Sequence, residues 1–222
     1  MLGAAQMERK VILDFGCGPG TFGILLGRRN TVVGVDIAKQ ALEQAIARAR
    51  IYGSNFQAIE CDGEILPLRS ESFDVIFVGW ALHHFPRLDL IIIHLGKMLK
   101  PGGLLMLVEP NEDSIGQRVS RSFEDMLRKY ILDSGLDTPN RSTHTRREYE
   151  TLIRASGFSG LKVLSSFNGE RPELPVDMSF FPLILLKIVI SIRWVLFTLS
   201  TKLFHSGPDL LIVARKCKVK TE

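Results

Sequence analysis

At 222 residues the chain is long enough for one α/β domain with its own core and too short for two full ones. A hydrophobic fraction of 45% with 23% charged residues excludes disorder as the default, and three cysteines without a CxxC pair argue against a disulfide framework. The net charge of +4 and pI near 9.0 suit an anionic surface, but no run of five Lys and Arg and no basic stripe with interleaved aromatics appears, so a nucleic-acid partner is not expected.

The N-terminal stretch MLGAAQMERK lacks the apolar core of a secretory leader, which predicts a cytoplasmic location. Residues 10–15 form a β-branched and apolar run that ends in a glycine cluster, as a buried parallel strand does on entering a tight turn. A helix is predicted over 21–29, a second strand over 31–35, and a helix over 39–52 with Leu42, Ala45, Ile46 and Ala49 on its inner face and Gly53 as its stop. Residues 56–60, 73–78 and 104–109 supply three more strands. The helix over 88–99 precedes the last of these and is turned off by Lys100-Pro101-Gly102-Gly103. Such alternation of strand and helix implies right-handed crossovers and a doubly wound α/β sheet covered on both faces. Further on, residues 112–130 read as helical, and Thr145-Arg146-Arg147-Glu148 is a capping box opening a helix to about Ser156. Strands are expected over 161–165 and 208–215. The whole chain, 1–222, is taken as a single domain with a cofactor-binding core at 10–112, a helical substrate-side segment at 113–158 and an apolar helical insertion at 174–206.

The turn Asp14-Phe15-Gly16-Cys17-Gly18-Pro19-Gly20 has GxGxG spacing. A dinucleotide fingerprint would put its third glycine where this chain has Thr21, and no Lys-Ser or Lys-Thr pair follows, so nicotinamide and P-loop readings lose support. Glycines let the backbone approach a ligand closely, and Asp36 at the end of the second strand has the acceptors for two ribose hydroxyls. Adenosine with a non-phosphate tail fits these features best, while a lone GxGxG is equally a tight strand-to-helix turn with an acidic cap.

VILDFGCGPGTFG, VVGVDIA, CDGEILPL, ESFDVIFVGWALHHF and LKPGGLLMLVEPN follow one another in an order and spacing that resembles the class I S-adenosylmethionine-dependent methyltransferases, in the branch acting on small molecules and lipids. The likeness covers residues 10–112. It implies a seven-stranded sheet with the last strand antiparallel at its edge, preceded here by the hydrophobic helical insertion, and S-adenosylmethionine as cofactor. It also implies that Asp14 and the turn residues Gly16, Gly18 and Gly20 line the methionine end. Asp36 would hold the ribose, Ile37 one adenine face, Asp62 the adenine amino group with Gly63 beside it, and Val78 and Gly79 would bring backbone near the methionine amino group.

Because a sulfonium already activates its methyl group, transfer chiefly requires that the acceptor be held in line and water kept out. A general base is needed only where the acceptor must lose a proton. His83 and His84, expected to end the fourth strand, are the base candidates, against the ordinary alternative of a hydrogen-bonded structural histidine. Trp80 is placed to pack on cofactor or acceptor. The tetrad Val78-Gly79-Trp80-Ala81 lacks the Asn/Asp-Pro-Pro-aromatic pattern of base-amino DNA methyltransferases, and no cluster has metal-ligand spacing.

The segment 178–204, MSFFPLILLKIVISIRWVLFTLSTKLF, is the least ordinary part of the chain. It has the length of a membrane span, but Lys187 and Arg193 interrupt it and a crossing would pull apart the strands on either side. As a helix from Pro182 it leaves only a narrow polar stripe of Lys187, Ser191, Thr198, Thr201 and Lys202, so an apolar partner is implied: a membrane surface, a second subunit in a homodimer, or the domain's own open face. If the sixth strand is parallel and the seventh runs back, this connection lies over the edge where cofactor and acceptor bind. An apolar roof there suits a hydrophobic or lipid-like acceptor. A polar metabolite with a dimer helix, and a cofactor-binding protein without turnover, remain the alternatives.

Overall fold

Ile12, Leu13 and Phe15 of β1 (Val11–Phe15) are almost completely removed from solvent, which a strand achieves only when the sheet is covered on both faces. β1 lies between β2 (Thr31–Asp36) and β4 (Phe73–Gly79), parallel to both, and β3 (Phe56–Glu60) continues the sheet beyond β2. On the other side β4 pairs in parallel with β5 (Leu99–Pro110), which in turn pairs antiparallel with β7 (Asp209–Lys216), and β7 pairs antiparallel with β6 (Phe158–Ser166). The order is β3-β2-β1-β4-β5-β7-β6, so β6 points the same way as the parallel strands and β7 alone runs back. The structure, a computed structural model, describes residues 7–115, 117–118, 143–166, 195 and 207–218. The helix expected over 112–130 falls largely outside these residues, and so does the insertion at 174–206, of which only Val195 is described.

The helices follow their apolar spacing with three departures from the sequence expectation. α1 is only Gly23–Leu26, because Gly27 closes it after one turn. α2 (Lys39–Ile51) buries Leu42, Ala45 and Ala49, but Ile46 is on its exposed side: the inward stripe is narrow and Ile46 lies beyond its edge. α3 (Leu88–Met98) runs directly into β5, and Lys100-Pro101-Gly102-Gly103 is part of that strand rather than a turn. The register jumps from Phe73↔Leu99 to Val75↔Leu104, so the Pro-Gly-Gly residues form a bulge, with Gly102 at φ 78° supplying the left-handed residue it needs. α4 (Arg146–Ala155) starts at the predicted capping box: the Thr145 side chain accepts from the Glu148 N–H while the Glu148 carboxylate accepts from the Thr145 N–H at 2.7 Å.

The sheet order reverses between β1 and β4, and in an open α/β sheet the crevice at the carboxyl ends beside such a reversal is where a ligand fits. A second structural point is made at the same edge. Buried Asn111, just after β5, donates from Nδ2 to the Gly207 carbonyl at 2.8 Å, and its backbone N–H reaches the Pro208 carbonyl at 2.7 Å. Ser165 Oγ accepts from the Gly207 N–H at 2.6 Å. The chain leaving β6 and the chain entering β7 are thereby joined where the intervening residues depart and return.

Substituting Asn111 by Ala leaves the Gly207 carbonyl without that partner in a buried setting, and about 2 kcal/mol of stability is expected to be lost in urea titrations. Asn55→Ala, which removes an exposed contact with Thr31, is expected to change stability by less than about 0.5 kcal/mol.

Candidate active site at the sheet reversal

The glycine turn leaves β1 with Gly16, Gly18 and Gly20 all in the left-handed region, at φ 66°, 49° and 74°. A Cβ on Gly16 would collide with Ala81, so the turn packs directly on the chain that follows β4, whereas a Cβ on Gly18 would meet nothing. The Gly16 and Cys17 N–H groups donate to the Val35 carbonyl at 2.9 and 3.0 Å, fixing the turn against β2. Asp36, the last residue of β2, reaches across it. Its carboxylate accepts from the Gly18 N–H at 2.7 Å and from the Ala38 N–H at 2.9 Å, and each oxygen keeps a further lone pair for a hydroxyl.

Asp14 lies at the base of this turn, 3% exposed, and its Oδ2 has no hydrogen-bond partner. Burial pushes its carboxyl up to about 7, against the lowering effect of the Gly23 N–H and with a further upward push from the Asp36 charge. An orphaned buried carboxylate oxygen beside a glycine cradle fits a cationic or amino-bearing ligand, which would replace the missing donor.

The other residues expected on the cofactor side lie at the same edge, on loops or at the end of β4. Ile37 follows β2 and is 70% exposed, as an apolar face awaiting a flat partner would be. Asp62 follows β3, is exposed, and accepts from the Glu64 N–H at 2.9 Å. Gly63 has no room for a side chain, since a Cβ would strike the rings of Phe15 and Phe85. Val78 is completely buried and Gly79 half-buried at the end of β4.

His83 and His84 do not end β4, which stops at Gly79; they lie in a 3-10 turn, Leu82–His84, that the chain reaches through Trp80. Trp80 has φ 51°, a conformation that a bulky residue adopts only when its surroundings force it. Here the Trp80 N–H donates to the Val108 carbonyl at 2.7 Å, its indole Nε1 donates to Asp209 at 3.0 Å, and its ring packs on Phe22 with centroids 5.6 Å apart. His83 is buried and His84 half-buried, their ring centroids 4.1 Å apart.

Glu109 is the residue that sequence reading left without a role. It is completely buried, and its Oε1 accepts from the Ala81 and Leu82 N–H groups at 2.9 and 2.8 Å while Oε2 pairs with His83 Nδ1 at 2.9 Å. A signal for it was present: Leu105, Leu107 and Glu109 occupy the same alternating inward register of β5, and an acid there must have buried donors. Nearby, the Tyr149 hydroxyl is buried with no hydrogen-bond partner, and burial together with the charges of Glu109 and Glu148 pushes its ionisation upward, so it stays a neutral phenol. Among the described residues no group of His, Cys, Asp and Glu is arranged to hold a metal ion.

A family model described as a methyltransferase domain matches residues 12–103, the stretch that contains the glycine turn, Asp36 and the histidine turn. The chain is 24% identical over 179 residues to the demethylmenaquinone methyltransferase of Staphylococcus carnosus, covering 71% of this chain and 70% of that protein. It is 28% identical over 149 residues to the ubiquinone biosynthesis O-methyltransferase of Agrobacterium fabrum, covering 67% of this chain but only 55% of the relative. Its fold superposes on the YcgJ protein of Bacillus subtilis with a TM-score of 0.65 at 19% identity, over 95% of this chain and 93% of the other.

The buried Asp14 carboxyl has a consequence for stability without ligand. A carboxyl whose folded-state value lies near 7 against 3.8 unfolded binds its proton more tightly when folded, so its contribution is full below about pH 4 and is lost as pH rises to 7. Asp14→Asn removes that loss. The variant's stability advantage over the parent is expected to grow between pH 4 and 7 to roughly 1–4 kcal/mol and then level off, as read by thermal unfolding of both proteins at each pH.

Proposed function

We propose that this chain, which belongs to the class I S-adenosylmethionine-dependent methyltransferases, transfers a methyl group to a small hydrophobic or lipid-like acceptor at the carboxyl edge of its sheet, beside Trp80 and the histidine turn. The observation that carries the acceptor reading is where residues 167–206 begin and end. Ser166 and Pro110 share Asp209 as their β7 register partner, so the connection containing the apolar segment 178–204 starts and finishes at the same edge as the glycine turn. The acid that begins β7, Asp209, is also the one that holds the Trp80 indole. The names of the two relatives, a demethylmenaquinone methyltransferase and a ubiquinone biosynthesis O-methyltransferase, lend this reading support.

In this reading the cofactor, when bound, supplies a methyl group already activated by sulfonium charge. Asp14 offers its unpartnered Oδ2 to the ammonium of the methionine end, which also favours the ionised carboxylate, and the turn Gly16, Gly18 and Gly20 lets that end approach the backbone. Asp36 keeps its two backbone bonds and accepts from the ribose hydroxyls with its remaining lone pairs. Ile37 covers one adenine face, Asp62 takes the adenine amino group beside Gly63, and Val78 and Gly79 contribute backbone at the methionine end. The base, where the acceptor needs one, is a member of the pair His83 and His84. The apolar composition of residues 178–204 suits a wall against a hydrophobic acceptor or attachment at a membrane surface. Among the described residues no helix is long and apolar enough to cross a membrane.

Asp36→Ala is expected to weaken S-adenosylhomocysteine binding at least 100-fold by calorimetry, and unchanged affinity would remove the ribose assignment. For the acceptor, transfer of labelled methyl to a demethylated prenyl hydroquinone and to oleic acid is expected to exceed transfer to glycine at least tenfold. A preference for glycine would overturn the hydrophobic reading. The protein is expected to sediment with anionic liposomes and a variant lacking residues 178–204 to remain in solution; equal pelleting of both would show that the segment does not contact the bilayer.

A further inference from the structure

Glu109 and His83 resemble two-thirds of a familiar device, a buried carboxylate holding an imidazole, and nothing in the methyl-donor site uses them. Glu109 sits near the end of β5, the strand beside β4, and its three donors all come from residues 81–83. Two of those donors are backbone N–H groups, which suffice to fasten the turn. The third bond does something the first two cannot. A neutral imidazole carries one N–H, and an ionised carboxylate only accepts, so with the pair in those forms the 2.9 Å contact between Oε2 and Nδ1 has the ring proton on Nδ1 and the lone pair on Nε2.

The location of the pair fits a role in the reaction. The turn carrying His83 follows β4 directly at the sheet reversal, and Ala81, held by Glu109, is the residue against which Gly16 packs. The ring of His83 is 5% exposed and stacks on His84, so a charge formed on it would be shielded from water and would have to be balanced from within. Glu109, completely buried, supplies that balance at hydrogen-bond distance.

Resting on the methyl-transfer reading above, we propose that His83 is the proton acceptor of the transfer and that Glu109 is its positioning residue. The acceptor's X–H bond breaks, the proton and Nε2 of His83 form the new N–H bond, and the electron pair left on X would form the bond to the methyl carbon as that carbon's bond to sulfur breaks, its electron pair staying on the neutral thioether. The imidazolium that results is paired with the Glu109 carboxylate, and its proton passes to water once the product has left. This assigns the reaction to acceptors whose methylated atom still carries its proton at neutral pH, such as a hydroxyl or an acidic carbon.

Two conservative variants separate this role from that of a structural tie. In His83→Asn the side-chain amide retains a donor where Nδ1 stands but has nothing in the place of Nε2. Under the proposal it keeps the fold and binds S-adenosylhomocysteine within threefold of the parent, while kcat with the prenyl hydroquinone falls at least 100-fold. In Glu109→Gln the amide oxygen still accepts from Ala81 and Leu82, but its NH2 faces Nδ1 and drives the ring proton to Nε2, the tautomer that cannot act as base. Nitrogen-15 NMR of labelled histidine reads this without any acceptor: the parent is expected to show His83 protonated on Nδ1, and Glu109→Gln to show it on Nε2. An Nε2–H tautomer in the parent, or a His83→Asn variant with parental kcat, would overturn the proposal even if Glu109→Gln fails to fold. A parent protein that binds S-adenosylhomocysteine yet methylates no acceptor with a dissociable proton counts against the transfer reading itself, and the base assignment falls with it.

Discussion

A carboxylate with no exposure to water must find its donors inside the protein, and Glu109 finds all three on one short stretch, the backbone of Ala81 and Leu82 and the ring of His83. Much of the site's geometry follows from that requirement. With residues 81–83 drawn against β5, Ala81 meets Gly16 so closely that no side chain fits there, and the glycine turn is set from one side. From the other side the Val35 carbonyl and the Asp36 carboxylate accept the N–H groups of Gly16, Cys17 and Gly18. The positions of β5, β4, β1 and β2 are thus transmitted to the turn through hydrogen bonds and one van der Waals contact, and a shift at Glu109 would be felt at the donor site.

The same region carries the energetic costs that the rest of the sheet offsets. Asp14 buries a carboxylate oxygen without a donor, and Trp80 takes a left-handed backbone conformation with a large side chain. Neither is needed to form β1 or β4, whose apolar residues are buried regardless. Both lie beside the sheet reversal, where Trp80 directs the chain out of the sheet while its indole stays fixed on Asp209 and its ring on Phe22.

The glycine turn and the acidic strand end were legible because they are local features. Gly16 to Gly20 and Asp36 announce a tight turn and an acidic strand end within one βαβ unit, and the alternation of apolar runs placed the strands correctly apart from their ends. What escaped was determined by partners far away in sequence. Ile46 reads as an inward residue by its spacing, yet the width of α2's buried stripe depends on what packs against it. Lys100 to Gly103 reads as a turn, because a bulge is defined only by the register of the neighbouring strand. Glu109 lay in plain view in an apolar run, but its importance depends on donors 26 to 28 residues earlier. His83 and His84 were recognised as a pair without a means of telling them apart, and it is the Glu109 contact that distinguishes them.

The antiparallel last strand decides where chemistry beyond the donor site can be built. A parallel β6 followed by another parallel strand would need its connection to cross from one end of the sheet to the other, and its length would be used in a crossover on a face. Because β7 runs back, the connection from Ser166 to Asp209 has both ends at one edge and is free of that duty. Asn111 and Ser165 show that its ends are held to a fixed separation by Gly207 and Pro208, through groups that would be costly to leave unpaired. Changes within the connection are thereby uncoupled from the sheet but not from the active site, since Asp209 next to the clamp also holds Trp80. Topology thus puts both ends of this connection at the carboxyl edge of the sheet, where Asp209 also accepts from the Trp80 indole.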